Sequence, residues 1–339
     1  MARIAILGLG LIGGSMGLAL KQSRLKDIEI AGYDVERGVA TKAQRIGAID
    51  RAAPDAQTAV REAAIVIIAT PISAMREVMG EIAEALPDNC IVTDTASTKT
   101  DVLRWAEELL PRRVSFVGGH PMAGKEQSGI DAAEAGIFEG RAYCVVPSVS
   151  AKETAVNSIV GLAQLVNAVP VYLDAQEHDS YAAAVSHLPL VASAALFSLA
   201  RESPAWPEMS QVASTGFRDA TRLASTNPEL TDDIVRTNRE QVVHWVNRMV
   251  QELIRLRDLI EKGDEDEVFK TFARIQFERD TYITTGARRR EEAAAPMPDA
   301  GVTVSDLLVG EWAARRTREI MKSLEEQERR ARERRPRRK

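Results

Sequence analysis

Three groups of residues in this 339-residue chain have the types and spacing to do chemistry. The first is Gly8-Leu9-Gly10-Leu11-Ile12-Gly13, with Asp34 placed 21 residues beyond Gly13. Where a strand turns into a helix, Gly8 permits the tight turn, Gly10 lets backbone approach a pyrophosphate, and Gly13 lets the helix pack against the strand. The pyrophosphate then rests on the free N–H groups of Leu11, Ile12 and Gly13 at the helix start. Asp34 can accept hydrogen bonds from both hydroxyls of a ribose. The second group is His120, which follows Gly118-Gly119 and precedes Pro121, with Ser97 in the segment 94–99. A histidine titrates near neutrality and suits proton transfer. Ser97 could orient its ring or a substrate hydroxyl. The third group is Arg218 and Arg222, four residues apart with Asp219 between them. Their guanidinium forks match carboxylates, although an exposed helix with internal ion pairs would show the same pattern. His187, before Leu188-Pro189, fits a capping or core histidine as well as a ligand. His178 and His244 lie in polar or mixed helical surroundings and receive no role.

The elements that must carry these groups alternate at first. Short apolar runs at 3–7, 28–33, 64–70, 90–93, 114–117, 143–146 and 169–173 read as strands. Helical periodicity separates them at 15–22, 73–86 and 100–110. Such alternation predicts an α/β, Rossmann-like, doubly wound and mostly parallel sheet over residues 1–173, with ligands outside the carboxyl ends of its strands. His120 is expected in a loop after one of those strands. From Asp174 only helices follow, at 176–186, 190–201, 207–213, 228–260 and 264–284. Together they predict an all-helical substrate and dimerisation domain over 174–285. The apolar positions of 231–260 exceed what a small one-chain bundle can bury, so this helix is expected to face its counterpart in a homodimer.

Residues 286–339 read as an Ala- and Pro-rich linker, an amphipathic stretch at 304–324 and a basic, disordered tail. The net charge of −5 hides an asymmetry. Residues 315–339 carry twelve Arg or Lys against five Glu, about +7, which leaves about −12 on the rest. The body therefore has no general affinity for nucleic acid. Cys90 and Cys144 sit in strand-like runs and read as core residues of a reducing compartment. Glycines break up the apolar N-terminus, so no signal peptide is expected, and no run of 18 apolar residues occurs. These features place the protein in the cytoplasm. No His, Cys or carboxylate pair has metal-ligand spacing.

The collinear motifs GLGLIGGS (8–15), ATP (69–71), TDTASTK (93–99), GGHPMAGKEQSG (118–129), SHLP (186–189) and TGFRDATRLAS (215–225) resemble the prephenate/arogenate dehydrogenase family of tyrosine biosynthesis. The resemblance covers residues 3–285. It implies an NAD-dependent oxidative decarboxylation, NADP being disfavoured by Asp34. It also implies a cofactor site that includes Thr70, Pro71 and Ser97. His120 would accept a hydrogen bond from the substrate ring hydroxyl, and Ser97 would bind that hydroxyl. Arg222 would hold a substrate carboxylate amid Glu126 and Asp219, with Arg218 and His187 also at the substrate. Many prephenate-specific members read SHLPH, whereas Leu190 stands at the final position here, which opens the site to arogenate. Two rival readings stand beside it, the first of which shares the Rossmann-plus-helices plan. One is a β-hydroxyacid dehydrogenase, which would need a lysine early in the helical part, yet 174–201 holds none. The other is a non-catalytic dinucleotide sensor whose basic tail binds nucleic acid.

Overall fold

The computed structural model describes residues 2–293, Arg24 and Glu126 excepted, together with Val302 and Thr303. In chain order the first part runs β1 (Ala2–Leu7), α1 (Leu11–Gln22), β2 (Leu25–Lys26), β3 (Ile28–Tyr33), α2 (Arg37–Arg45), β4 (Arg51–Ala52), α3 (Ala56–Val60) and β5 (Ala63–Ile68). It continues with α4 (Ile72–Ile82), β6 (Ile91–Asp94), α5 (Thr100–Leu109), β7 (Ser115–Pro121), β8 (Ala142–Pro147), α6 (Glu153–Leu165) and β9 (Val169–Tyr172). Eight strands form one sheet in the order β4-β3-β1-β5-β6-β7-β8-β9. Among the described residues only β7 and β8 pair antiparallel. The order reverses between β1 and β5, which opens a crevice at the carboxyl ends of the central strands.

The strands are apolar on both faces because helices cover both. Ile4, Ile6, Ile65 and Ile67 point into one layer with Met16, Leu20, Ile159 and Leu162. The alternate residues Ala5, Leu7, Val66 and Ile68 point into the other with Ile72, Met75, Met79 and Val102. Each fully buried aliphatic side chain of this size contributes about 1.5–3 kcal/mol. Cys90 and Cys144 are free and buried, and burial pushes their thiols up to about 12 and about 11.

Asp174 opens the helical part with a reciprocal cap: its carboxylate accepts from Glu177 N, and the Glu177 carboxylate accepts from Asp174 N. There follow α7 (Ala175–Ala182), a π turn (Ala183–His187) and α8 (Leu188–Arg201), which make one rod. The Ser-His-Leu-Pro segment therefore does not interrupt the helix. Pro189 has no N–H to give, and the Leu188 N–H reaches back five residues to Ala183 O. This rod is long and apolar enough to cross a bilayer by length and composition alone, but His178, Asp179, His187 and Ser193 along it are hydrogen-bonded to other elements of the protein.

The remaining helices are α9 (Trp206–Val212), α10 (Thr215–Thr221), α11 (Pro228–Thr237), α12 (Arg239–Lys262) and α13 (Glu265–Ala293). Two expectations are corrected here. The helix expected over 228–260 breaks at Asn238, whose backbone leaves helical geometry at φ −128° and ψ 33°. Its side chain is held by neighbouring elements, as described below. The last helix also runs past residue 285 to Ala293, because the Ala, Arg and Glu residues after Gly286 are strong helix formers and outweigh its cost of about 1 kcal/mol. Val302 and Thr303 form β10 (Val302–Thr303), which pairs in parallel with β2 inside the stretch expected to be a linker. The segment 304–324 and the basic tail lie outside the described residues.

Candidate active site

The cofactor half is built by residues close in sequence. Gly8 adopts φ +86°, and a Cβ there would sit 2.6 Å from Ala69 O. A Cβ on Gly13 would sit 1.9 Å from Gly8 O, whereas Gly10 faces open space. The start of α1 has no side-chain cap, so the N–H groups of Leu11, Ile12 and Gly13 are left for a ligand. Asp34 Oδ2 accepts from Leu9 N at 2.8 Å and Oδ1 accepts from Glu36 N at 3.0 Å, which fixes the acid against the glycine turn. Just past β5, Thr70 Oγ1 is buried and unpartnered, and Pro71 caps α4. A cradle that only glycine permits, an open helix terminus, an oriented acid and an orphan hydroxyl fit a dinucleotide.

The second half is a seam between the sheet and the helices. Asp94, at the end of β6, pairs with the fully buried Lys99 ammonium and accepts from Ala96 N and Gly119 N at 2.8 and 3.1 Å. The lysine stem runs beside Gly118, where a Cβ would come within 3.1 Å of Lys99 Cδ. A Cβ on Gly119 would lie 2.5 Å from Asp94 O. His120 itself is in strand β7, paired with Cys144 of β8, rather than in the expected loop. From the helical side, the Asp179 carboxylate accepts from Lys99 N at 2.7 Å and Thr100 N at 2.9 Å, and so caps α5. The same carboxylate lies 2.9 Å from His178 Nδ1, and His178 Nε2 lies 2.8 Å from His120 Nδ1. Asp233 of α11 takes the start of α4 in the same way, accepting from Ser73 N and Oγ at 3.0 Å.

These contacts settle where the protons are. Burial works to raise the Asp179 pKa, but hydrogen bonds from His178, Thr100 and Lys99 outweigh it and hold the acid ionised. His178 is pushed below its ordinary value chiefly by burial, the Asp179 bond opposing. His120 is pushed well below by burial, then by His178, the Lys99 cation and His187. Both rings are therefore neutral at pH 7. His178 Nδ1–H donates to Asp179, which leaves its Nε2 to accept from His120 Nδ1–H. His120 Nε2 then carries the lone pair.

The chain residues match two family descriptions, "Prephenate dehydrogenase, nucleotide-binding domain" over 16–172 and "Prephenate dehydrogenase, dimerization domain" over 174–274. The chain is 34% identical over 295 residues to the prephenate dehydrogenase of Bacillus subtilis (strain 168), covering 86% of this chain and 78% of that protein. It is 31% identical over 275 residues to the cyclohexadienyl dehydrogenase of Zymomonas mobilis, covering 80% and 93%. The chain belongs to the prephenate dehydrogenase family. Among solved structures, the Aquifex aeolicus prephenate dehydrogenase in complex with hydroxyphenyl propionate and NAD+ superposes with a TM-score of 0.77 at 26% identity, covering 83% of this chain and 98% of that one. The Synechocystis arogenate dehydrogenase gives 0.72 at 28%, covering 83% and 99%. The Rossmann-like and helical division read from the sequence, and NAD as the cofactor, are those of the family.

Of the site residues expected from sequence, the structure gathers His120, Ser97 and His187 at the seam, with Gly8 to Gly13, Asp34, Thr70 and Pro71 at the neighbouring strand ends. Arg218 and Asp219 lie exposed on α10, and Arg222 opens the 3-10 turn that follows, also exposed. The end of α10 packs on α8, where Ser193 Oγ donates to Ala220 O at 2.6 Å. Glu126 lies outside the described residues. A cavity of about 600 Å³ is lined by Met122, Gly124, Lys125, Glu134 and Arg141, and His120 is not part of its lining. His178 is a correction, since it contacts His120 directly. Asp94, Lys99, Asp179 and Asn238 were not singled out either. One signal was available for 178–179: the Asp174–Glu177 cap fixes them in the first turns of a helix that leads into apolar sequence.

Proposed function

We propose that this chain catalyses the NAD-dependent oxidative decarboxylation of prephenate to 4-hydroxyphenylpyruvate, with arogenate, which yields tyrosine, as a competing substrate. The observation that carries the reading is the Asp179–His178–His120 chain, which ends on a ring nitrogen ready to take a proton at the carboxyl ends of the parallel strands. NAD supplies the hydride acceptor when held by the glycine turn, Asp34, Thr70 and Pro71. His120 Nε2 takes the proton of the ring hydroxyl while the same ring carbon gives up its hydrogen as hydride. The bond to the ring carboxylate breaks, CO₂ leaves, and its electron pair completes the aromatic ring. The proton returns to the phenolic oxygen, which regenerates the base. Ser97, half-buried in the turn after β6, holds the hydroxyl. Arg222 holds a substrate carboxylate, with Arg218, Asp219 and Glu126 around it. Leaving the departing carboxylate poorly stabilised favours the transition state over the ground state.

Leu190 supports a second substrate. It is buried on α8, three residues past His187, and offers neither a donor nor a cation to the substrate side chain. An ammonium there meets no repulsion, so arogenate competes. The chain works as a homodimer through α8, α12 and α13, where Phe197, Val243, Leu253 and Phe272 are exposed in the single chain.

The test is reduced-nicotinamide formation with prephenate and arogenate run in parallel. Turnover of prephenate is expected. No turnover with either substrate would return the choice to a β-hydroxyacid dehydrogenase or a dinucleotide sensor. Against the first of these, the buried lysine of the seam is Lys99, from the nucleotide-binding part and engaged by Asp94.

A further inference from the structure

Pro71 stands at the cap position of α4 and Lys99 at that of α5, and neither side chain accepts a hydrogen bond from the helix it opens. The first N–H groups of a helix need an acceptor. A carboxylate serves well, because it also meets the positive end of the helix dipole. For both helices the carboxylate comes from the helical part. Asp179 accepts from Lys99 N and Thr100 N. The buried Asp233 accepts from Ser73 N and Ser73 Oγ through Oδ2, each at 3.0 Å, across 160 residues of chain. Its Oδ1 accepts from the Arg236 guanidinium at 3.0 Å.

Asp233 and Thr237 are four residues apart on α11 and so share one face of that helix. Thr237 Oγ1 donates to Asp233 O at 2.7 Å, so its lone pair receives the Thr98 hydroxyl at 2.9 Å. Asn238, the next residue, donates to Asp179 O at 2.7 Å and lies 3.2 Å from His187 Nδ1, which ties the end of α11 to α7 and the π turn. One face of α11 thus holds the turn after β5, which carries Thr70 and Pro71, and the turn after β6, which carries Ser97. β5 and β6 are neighbours in the sheet. We infer that Asp233 is a positioning residue for the cofactor: by closing the start of α4 it fixes Thr70 and Pro71 where NAD is held. Thr237 does the same for the turn that bears Ser97. The nucleotide-binding part therefore reaches its binding geometry only with α11 docked on it. Hydride transfer needs the reacting atoms within about 3–3.5 Å, so a helix that sets one turn against the other acts on the rate through both.

The rate assays rest on the prephenate reading, whereas NAD binding is measured without substrate, so a failure of one is told apart from a failure of the other. Asp233→Ala removes both bonds to Ser73. The Kd for NAD, by fluorescence titration, is expected to rise about tenfold, the scale of a lost helix cap. The acid limb of the pH profile should not move, because the His120 chain is untouched. Asp233→Asn keeps an acceptor for Ser73 N and Oγ, and the exposed Arg236 can swing clear of the amide, so most of the affinity is expected to return. Thr237→Val is expected to leave the Kd for NAD within about twofold and to lower kcat for prephenate about tenfold, through a misplaced Ser97 turn. An Asp233→Ala variant that melts lower yet binds NAD like the wild type would make Asp233 an ordinary contact between domains. Equal weakening of NAD by Thr237→Val would remove the division between the two turns. If Asp233→Ala does not fold, hydrogen exchange of the cofactor-free wild type decides. The Ser73 N–H should be protected with the interior of α4, and exchange at the rate of an open helix start overturns the inference.

Discussion

The glycine turn and the seam differ in how far the chain must travel to build them. Gly8 to Asp34 is one local βαβ unit, and each glycine answers to a backbone atom nearby in the fold, such as Ala69 O or Gly8 O. The seam joins Asp94, Lys99, His120, Asp179, His187 and Asn238, with links that span 58 residues from His120 to His178 and 80 from Lys99 to Asp179. A local site announces itself in the sequence by type and spacing. A site closed by docking one domain against helix termini of another does so only for residues in distinctive motifs. The seam is also the costlier region to disturb, because its polar groups are buried and each depends on a neighbour for its proton.

The largest effect is expected at the end of the histidine chain. His120→Asn should lower kcat by about 10²–10⁴, the usual contribution of general-base catalysis, while NAD affinity, measured by fluorescence titration, stays near that of the wild type. A variant within a few-fold of the wild type would put the proton elsewhere. Asp179→Asn comes next. An amide there can offer its N–H to His178 and invert the tautomers down to His120, for a loss of about 10² or more in kcat. Retained activity would show that the chain of rings is architecture only.

The sheet, the helical half and the cofactor cradle were legible because apolar runs, glycines and an acid at fixed spacing have local causes. His120 and Ser97 stand out as candidates through their motifs. His178 does not, since Gln-Glu-His-Asp-Ser reads as an ordinary polar helix turn until α7 is seen against the start of α5. Lys99 sits inside a recognised motif, yet its burial is set by long-range partners: its ammonium pairs with Asp94 and its stem packs beside Gly118. The break at Asn238 has no local signal, and the partners of its side chain, Asp179 O and His187, lie 59 and 51 residues away.

The two smaller effects concern selectivity. In the cradle, Asp34 should favour NAD over NADP by at least about tenfold in kcat/KM, since a 2′-phosphate would meet its carboxylate. A preference for NADP would show that the exposed Arg37 dominates. On the substrate side, Leu190→His should raise the prephenate-to-arogenate ratio of kcat/KM by about tenfold, one hydrogen bond to a charged group being worth about 1.5–3 kcal/mol. An unchanged ratio in a variant that melts normally would mean that position 190 does not sense the side chain.

The pH dependence of kcat/KM for prephenate tests most directly whether the helical half sets the base. A histidine whose pKa is depressed stays deprotonated, and competent as a base, as pH falls through 6.5, and it is lost only below its own lower value. Burial, His178 and the Lys99 cation depress His120 in this way. The acid limb of the wild-type profile should therefore lie well below 6.5, the ordinary histidine value. An acid limb at or above 6.5 would contradict a buried, neutral His120 held by His178 and Asp179.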